Sequence, residues 1–337
     1  MRLVTRADFD GLVCGALITL MEEDVDSYLF VEPKFMQDGS VDIRRGDIIA
    51  NLPYHPNCTL WFDHHITNAP AWQRHAGKTE DRKSKIEDRS SILHPPSSIV
   101  PGKGGFRIAP SAARVVYEYY TTPGERRETG GGSWNKEQLK LLGSERMKFL
   151  LEETDKIDAG QLTTEDVLHP SGYVLISMTI DGKWSEDESY WLRLIELLRE
   201  RSLEETLREP EVKRRCQKIL DDQDRLKSIL LARTTLKGNV IFTDLRGIKD
   251  IPDGNRFLLY TLFPSGNISV KINDDSQRAN TTAISVGYNI FNATSNVNVG
   301  ELLQNYGGGG HKVVGSCRVP NDEAEQAIRE IVEAVKE

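Results

Sequence analysis

The sequence predicts an α/β protein: an N-terminal parallel sheet with helices on its faces, followed by a smaller C-terminal α/β unit. Three observations carry that prediction. A chain of 337 residues is long enough for two ordinary cores. In its first half, short apolar runs alternate with helix-like stretches, the pattern of a parallel sheet covered by helices. After a long charged stretch, strand-like runs return from Val240 onward and a last helix closes the chain.

Taken in order, Leu3-Val4-Thr5 begins the first strand, and Leu12 to Met21 is apolar enough for a buried helix. Tyr28–Val31, Asp47–Ala50 and Leu60–Phe62 read as the second, third and fourth strands. The first, third and fourth run directly into polar residues: Asp8 and Asp10, then Asn51, then Asp63-His64-His65. Ligands of open parallel sheets sit beyond the carboxyl ends of the strands, so one crevice can receive all three groups. From Trp72 to Arg107 the composition turns to charge, Ser, Gly and Pro, and predicts an insertion or a long loop. Pro110–Tyr120 predicts a helix with Pro near its start. A Gly-rich loop at Gly130–Gly132 separates it from a helix over Lys136–Glu153, with Thr154–Gly160 following. Asp187–Leu231 is charged, helix-favouring and broken near Pro210. Beyond it, Val240–Phe242, Phe257–Leu262, Ile268–Ile272 and Ala283–Val286 predict strands, and Val299–Tyr306 a short helix. Asp322-Glu323-Ala324-Glu325 predicts a capping-box start to the last helix. The expected boundaries are 1–190 for the first domain, with a charged insertion at about 72–107, 191–232 for a helical connector and 233–337 for the second domain.

Composition excludes several classes. No run approaches the roughly 18–20 apolar residues that span a bilayer. MRLVTRADFDG places acids where a signal peptide carries its apolar core. The four cysteines, Cys14, Cys58, Cys216 and Cys317, form no CxxC pair, which predicts reduced thiols in a cytoplasm. A net charge of −8 disfavours long duplex nucleic acid and a membrane surface, while leaving room for a short oligonucleotide in a locally basic pocket. Walker A, HExxH and GxSxG sequences are absent.

Chemistry concentrates in a few places. Asp8 and Asp10 stand two apart just past a strand, able to reach a common ion or to sit solvated on a loop, with Gly11 allowing a tight turn. Asp63-His64-His65 puts three ionisable residues at the end of an apolar run. Carboxylate and neutral imidazole suit Mn²⁺ or a similar ion, and a second His can donate to a phosphoryl oxygen. Gly307-Gly308-Gly309-Gly310-His311 carries a large entropy cost, whose usual return is close backbone approach to a ligand, with N–H groups facing an anion. Asp155 and Asp158 are a further ligand source or acids on a helix exit. Lys271 and Arg278 bind phosphate or are simply exposed, and His55, His75, His94 and His169 are expected at the surface.

TRADFDG, IIANL, WFDHH, DKIDAG and NYGGGGH, in this order, resemble the successive motifs of the DHH phosphoesterase superfamily with its DHHA1 C-terminal domain. The resemblance covers most of the chain and leaves out Trp72–Arg107. It implies a DHH domain and a smaller DHHA1 domain with the active site in a cleft between them, and a pair of Mn²⁺-like ions that activates a water. Carried over by position, Asp8, Asp10, His64 and Asp158 match metal ligands, and Asp63 opens the DHH motif. His65 matches the residue facing the scissile phosphate, while Gly307–Gly310 and His311 match the substrate-binding loop.

Two positions depart from the family pattern. Arg6 stands where related sequences carry His before DxD, and Asn51 where the second motif ends in the Asp that bridges both ions. An arginine stays cationic and is not a ligand. A neutral amide is a poor replacement for a bridging carboxylate. Asp10, His64 and Asp158 can still hold one ion, and Arg6 can place its guanidinium where the other cation would sit, neutralising Asp8 and gripping a phosphate.

The resulting expectation is a cytoplasmic, metal-dependent phosphoesterase using Mn²⁺ or Mg²⁺, with one or two ions. Its substrate would be a short nucleotide, an oligonucleotide or polyphosphate, and a homodimer is compatible with the sequence. Catalysis would fall to His65, Asp63 and Arg6, metal binding to Asp8, Asp10, Asn51, His64 and Asp158, and substrate binding to Gly307–Gly310, His311, Lys271 and Arg278. The competing expectation is a degenerate DHH protein that binds a nucleotide or phosphate without turnover.

Overall fold

The computed structural model describes residues 1–76, 99–100, 103–122, 134, 136–181 and 187–336. The chain divides into two compact units, Met1–Leu162 with Ser171–Cys216, and Thr163–Pro170 with Gln217–Glu337. No helix of the described residues is long and apolar enough to cross a membrane.

The first unit runs β1 (Arg2–Thr5), α1 (Phe9–Met21), β2 (Ser27–Phe30), α2 (Pro33–Gln37), β3 (Ile48–Ala50), β4 (Leu60–Asp63), α3 (Ala69–Ala76), β5 (Ile99–Val100), β6 (Gly104–Phe106), α4 (Ala112–Thr121), α5 (Lys136–Leu142) and α6 (Glu145–Asp158). The short helix α7 (Thr164–Leu168) belongs to the second unit; α8 (Gly172–Met178), α9 (Glu188–Glu200) and α10 (Leu203–Arg208) return to the first. Helix α11 (Pro210–Arg233), with its Pro at the N-terminus, continues through the division. The sheet order is β2-β1-β3-β4-β6-β5, with every pair parallel except β5–β6. Strands β1, β3 and β4 are buried almost throughout, as fits a parallel sheet covered on both faces. Their carboxyl ends lie side by side in that order, which brings the polar residues after each strand to one edge.

The stretch read as an insertion is structured at both ends. Trp72 lies on α3 and Phe106 on β6, both buried, with ring centroids 6.0 and 5.9 Å from that of Trp61. Burying two large rings outweighs the charged composition around them. His75, expected at the surface, joins the same aromatic cluster, and its Nε2 lies 2.8 Å from the Lys103 carbonyl. Residues 77–98 and 101–102, His94 among them, and Gly130–Gly132 fall outside the described residues. The helix expected over Lys136–Glu153 is two helices, because Ser144 caps a new one by accepting from the Met147 N–H.

In the second unit, β7 (Thr234–Lys237), β8 (Val240–Asp244), α12 (Leu258–Leu262), β9 (Ile268–Asp274), β10 (Thr281–Tyr288), α13 (Val299–Gln304), β11 (Gly309–His311), β12 (Val314–Pro320) and α14 (Asn321–Ala334) follow α11. The sheet order is β11-β12-β10-β9-β8-β7, antiparallel except for β8–β9. One face carries Val270, Ile272, Ile284, Val286, Cys317 and Val319, in one core with Ala324, Ile328 and Ile331 of α14. Phe257–Leu262, expected as a strand, forms α12 instead. Strands β8 and β9 are parallel, so the chain between them must cross over rather than add a hairpin strand. The last helix starts at Asn321 behind Pro320 with no side-chain cap, so the expected capping box does not form. Glu325 pairs instead with Arg246, at 2.7 Å.

Candidate metal centre and phosphate-binding residues

Asp8 follows β1 as the N-cap of α1, its Oδ1 accepting from the Gly11 N–H at 2.8 Å. Gly11 is required there, because a Cβ at that position would lie 2.1 Å from the Arg6 carbonyl oxygen. Asp10, in the first turn of α1, is 2 % exposed. Its two oxygens accept from the Ala112 and Ala113 N–H groups at 2.9 and 2.8 Å, at the start of α4. A helix N-terminus favours a carboxylate, and this one fixes the side chain in place.

His64 follows β4. Its Nδ1 lies 3.0 Å from the Ala109 carbonyl, which can only accept, so Nδ1 carries a proton and Nε2 is the ring nitrogen turned toward the acids. That Nε2 is buried without a hydrogen-bond partner, 3.4 Å from Asp158 Oδ2 and 4.0 Å from Asp10 Oδ2. The ligand atoms of Asp10, His64 and Asp158 all lie within 4.8 Å of one another. With Nδ1 held by the carbonyl, His64 Nε2 and the carboxylates of Asp10 and Asp158 form a donor set that suits Mn²⁺ or a related divalent ion. These residues therefore fit one such ion. Burial pushes the Asp10 carboxyl well above its ordinary range, with the negative charges of Asp158 and Asp8 adding to the effect. Burial also raises Asp158, with His64 opposing. Both directions mark carboxylates held chiefly away from water.

Beside it, His65 Nδ1 donates to Asp63 Oδ1 at 2.8 Å. Asp63 is fully buried, and its Oδ2 accepts from Asn68 Nδ2 at 2.7 Å. The Asp63 hydrogen bond raises the His65 pKa, with burial opposing. The imidazole is thereby oriented from Nδ1, and half of the side chain is exposed to solvent.

Arg6, Asp8 and Asn51 form an adjoining cluster. Arg6 Nη1 lies 3.1 Å from Asp8 Oδ2, and Arg6 Nε 3.5 Å from a Glu32 oxygen. Asn51 has φ 56° and donates from Nδ2 to Asp8 Oδ1 at 3.1 Å. Asp8 is not among the three acidic and histidine residues whose ligand atoms come together. Asp155 is also elsewhere: it accepts from Ser111 Oγ at 2.6 Å and from Arg114 Nε at 2.9 Å, bracing α4 against α6. Sequence reading missed Ser111, Arg114, Glu32 and the Ala109 carbonyl; only Ser111, following Pro110 as an N-cap, left a local signal.

In the second unit, the glycines of the GGGGH run are largely used by the chain itself. Gly307 has φ 68° and Gly310 φ 154°. A Cβ on Gly308 would lie 2.3 Å from the Ser316 carbonyl oxygen and 2.5 Å from Cys317 Cβ. A Cβ on Gly309, whose φ is ordinary, would meet nothing within 4 Å, so Gly309 faces open space. His311 is exposed at the end of β11. Lys271 stands in a cross-strand row with Thr243, Ser285, Ser316 and Gly309, on the face opposite the apolar core. Burial lowers the Lys271 pKa. Arg278 lies in the exposed turn after β9, beyond the strand that carries Lys271. Ser285 and Ser316 are further candidates that only strand register reveals.

No family model and no curated protein matches the chain. Among solved structures, the pGpG-specific phosphodiesterase PggH from Vibrio cholerae is similar at 31% identity and TM-score 0.77, covering 99% of this chain and 98% of its own. RecJ from Thermus thermophilus, solved in complex with Mn²⁺, shares the fold at 11% identity and TM-score 0.52, covering 99% of this chain and 51% of its own. The order of motifs, the parallel and mixed sheets and this likeness agree: the chain belongs to the DHH superfamily of phosphoesterases, with a DHHA1 C-terminal domain.

Proposed function

We propose that this protein is a metal-dependent phosphoesterase that hydrolyses a phosphodiester in a short nucleotide, with a linear guanine dinucleotide such as pGpG as the first substrate to test. The observation that carries the reading is the buried His64 Nε2, without a hydrogen-bond partner, facing Asp10 and Asp158 next to the oriented His65–Asp63 pair. Asp10, His64 and Asp158 hold the ion. When bound, such an ion stabilises charge on phosphoryl oxygens and makes hydroxide available near neutral pH.

The protein's own groups do the rest. Asp63 holds His65 by Nδ1 and favours its protonated form, so Nε2–H can donate to a phosphoryl oxygen as charge develops there. Arg6 supplies a permanent positive charge next to Asp8. In the second unit, Gly309, His311 and Lys271, with Ser285 and Ser316 beside them, are the groups we assign to a terminal phosphate of the substrate. The nucleotide identity follows the likeness to PggH, a pGpG-specific phosphodiesterase.

The test is hydrolysis of pGpG, other linear dinucleotides and polyphosphate with Mn²⁺ or Mg²⁺, for the wild type and His65→Ala. Release of mononucleotide by the wild type, reduced about 10²–10⁴-fold in His65→Ala with binding retained, is expected. Unchanged turnover in His65→Ala would sink the role of His65. Tight nucleotide binding with no hydrolysis of any substrate would replace the enzyme by a nucleotide-binding protein, the reading that the Arg6–Asp8 pairing favours.

A further inference from the structure

We infer that Arg6 and Asn51 are a matched pair that takes the place of one of the family's two ions, so that each chain carries a single divalent ion beside a built-in organic cation. The inference deepens the phosphoesterase reading and rests on it for the ion at Asp10, His64 and Asp158.

The argument starts at Asp8. Its Oδ2 faces Arg6 Nη1 at 3.1 Å, and its Oδ1 accepts from the Gly11 N–H at 2.8 Å and from Asn51 Nδ2 at 3.1 Å. Both oxygens are therefore engaged by protein donors. The amide at 51 is what permits this: an aspartate in its place would set a second carboxylate against Asp8, which requires a cation or a proton between them. Arg6 and Asp8 cancel formally without any metal, and Asn51 adds no charge. The family pattern of His, Asp and Asp carries two negative charges, matched to a divalent ion. The two departures thus compensate each other.

Arg6 is also held where such a charge is useful. Glu32 approaches its Nε at 3.5 Å, and the side chain remains 41% exposed. Both of these contacts leave Nη2 aside, so a donor is left for a phosphoryl oxygen. A guanidinium stays charged at every pH the protein meets, so this cation is never lost to chelators or acid.

The experiment counts bound Mn²⁺ on full-length protein, after loading and gel filtration, by elemental mass spectrometry, with free Mn²⁺ followed by electron paramagnetic resonance. The variants are Arg6→His/Asn51→Asp and Asp8→Asn, and folding is checked by circular dichroism. The expected counts are about one ion per chain for the wild type and for Asp8→Asn, and about two for the double variant. Two ions in the wild type, a lost ion in Asp8→Asn, or a folded double variant that still holds one would each overturn the inference while leaving the phosphoesterase reading intact. A misfolded double variant leaves the decision to the wild-type and Asp8→Asn counts. No ion in the wild type would overturn both, and parallel pGpG hydrolysis separates that case from the others.

Discussion

Gly308→Ala and Gly309→Ala form a contrast that tests how the GGGGH loop works. At Gly308 a new Cβ would stand 2.3 Å from the Ser316 carbonyl oxygen, 2.5 Å from Cys317 Cβ and 2.7 Å from Cys317 Cα. Comfortable separation begins near 3.4 Å, so the β11–β12 hairpin has to move by roughly 1 Å, and the obstruction is backbone that cannot swing aside. Overpacking of this kind costs about 1–3 kcal/mol, and the rigidity of the neighbours puts Gly308→Ala near the top of that range. For a unit of this size about 4 °C of melting temperature accompanies each kcal/mol, so a fall of roughly 12 °C is expected for the second unit. At Gly309 the same methyl meets nothing within 4 Å. Stability should then stay within about 0.5 kcal/mol of the wild type, or rise slightly through the unfolded chain. Calorimetry of both variants supplies the stabilities, and KM for the dinucleotide supplies the second reading: Gly309→Ala should raise it several-fold in a stable protein. Equal melting temperatures for Gly308→Ala and the wild type would refute the packing argument. An unchanged KM in Gly309→Ala would remove the loop from substrate binding.

Three other outcomes follow from the site. Asp155→Asn should cost about 2 kcal/mol, by weakening the pairing with Arg114 and Ser111, and leave Mn²⁺ affinity unchanged, whereas Asp158→Asn should lower Mn²⁺ affinity with little effect on unfolding; calorimetric titration and urea melts distinguish them. Lys271→Met should stabilise the second unit and weaken nucleotide binding. The half-buried amine has a pKa below its unfolded value, so wild-type stability should rise as pH climbs toward about 10.5, and the variant should lose that slope in urea melts on the acid side of about 10.5. Burial likewise depresses the His75 pKa, so stability should fall as pH drops through about 6.5, and His75→Gln should flatten that fall.

Much of the frame was legible because parallel strands buried on both faces are written as apolar runs, and β1, β3 and β4 each announce their end with Asp8, Asn51 or Asp63. The cluster of Asp10, His64 and Asp158 was legible through motif order. Its geometry was not, since it depends on an Ala109 carbonyl and on the Ala112 and Ala113 N–H groups, which any residue type can supply. Trp72, His75 and Phe106 were hidden by their charged surroundings, and only the ring contacts with Trp61 explain their burial. The helix at Leu258–Leu262 was misread because its sequence suits a strand, and the crossover between β8 and β9 decides the matter. The glycine run drew attention to a ligand, yet Gly308 and Gly310 are glycines chiefly because their own hairpin leaves no room for a side chain.

The division of the chain has a consequence for the order in which the protein is made. Residues 163–170 belong to the second unit but are synthesised inside the first. Val167 on α7 is fully buried, and its carbonyl accepts from Gln223 Nε2, 56 residues further on. At about 5–20 residues per second, the ribosome delivers that partner roughly 3–11 s later. During this interval the rest of the first unit is emerging, and α7 has no core of its own to enter. A nascent chain stalled before Gln223 should therefore keep α7 open to protease while the strands of the first sheet become protected, and the segment that closes last is one of the earlier ones to be made.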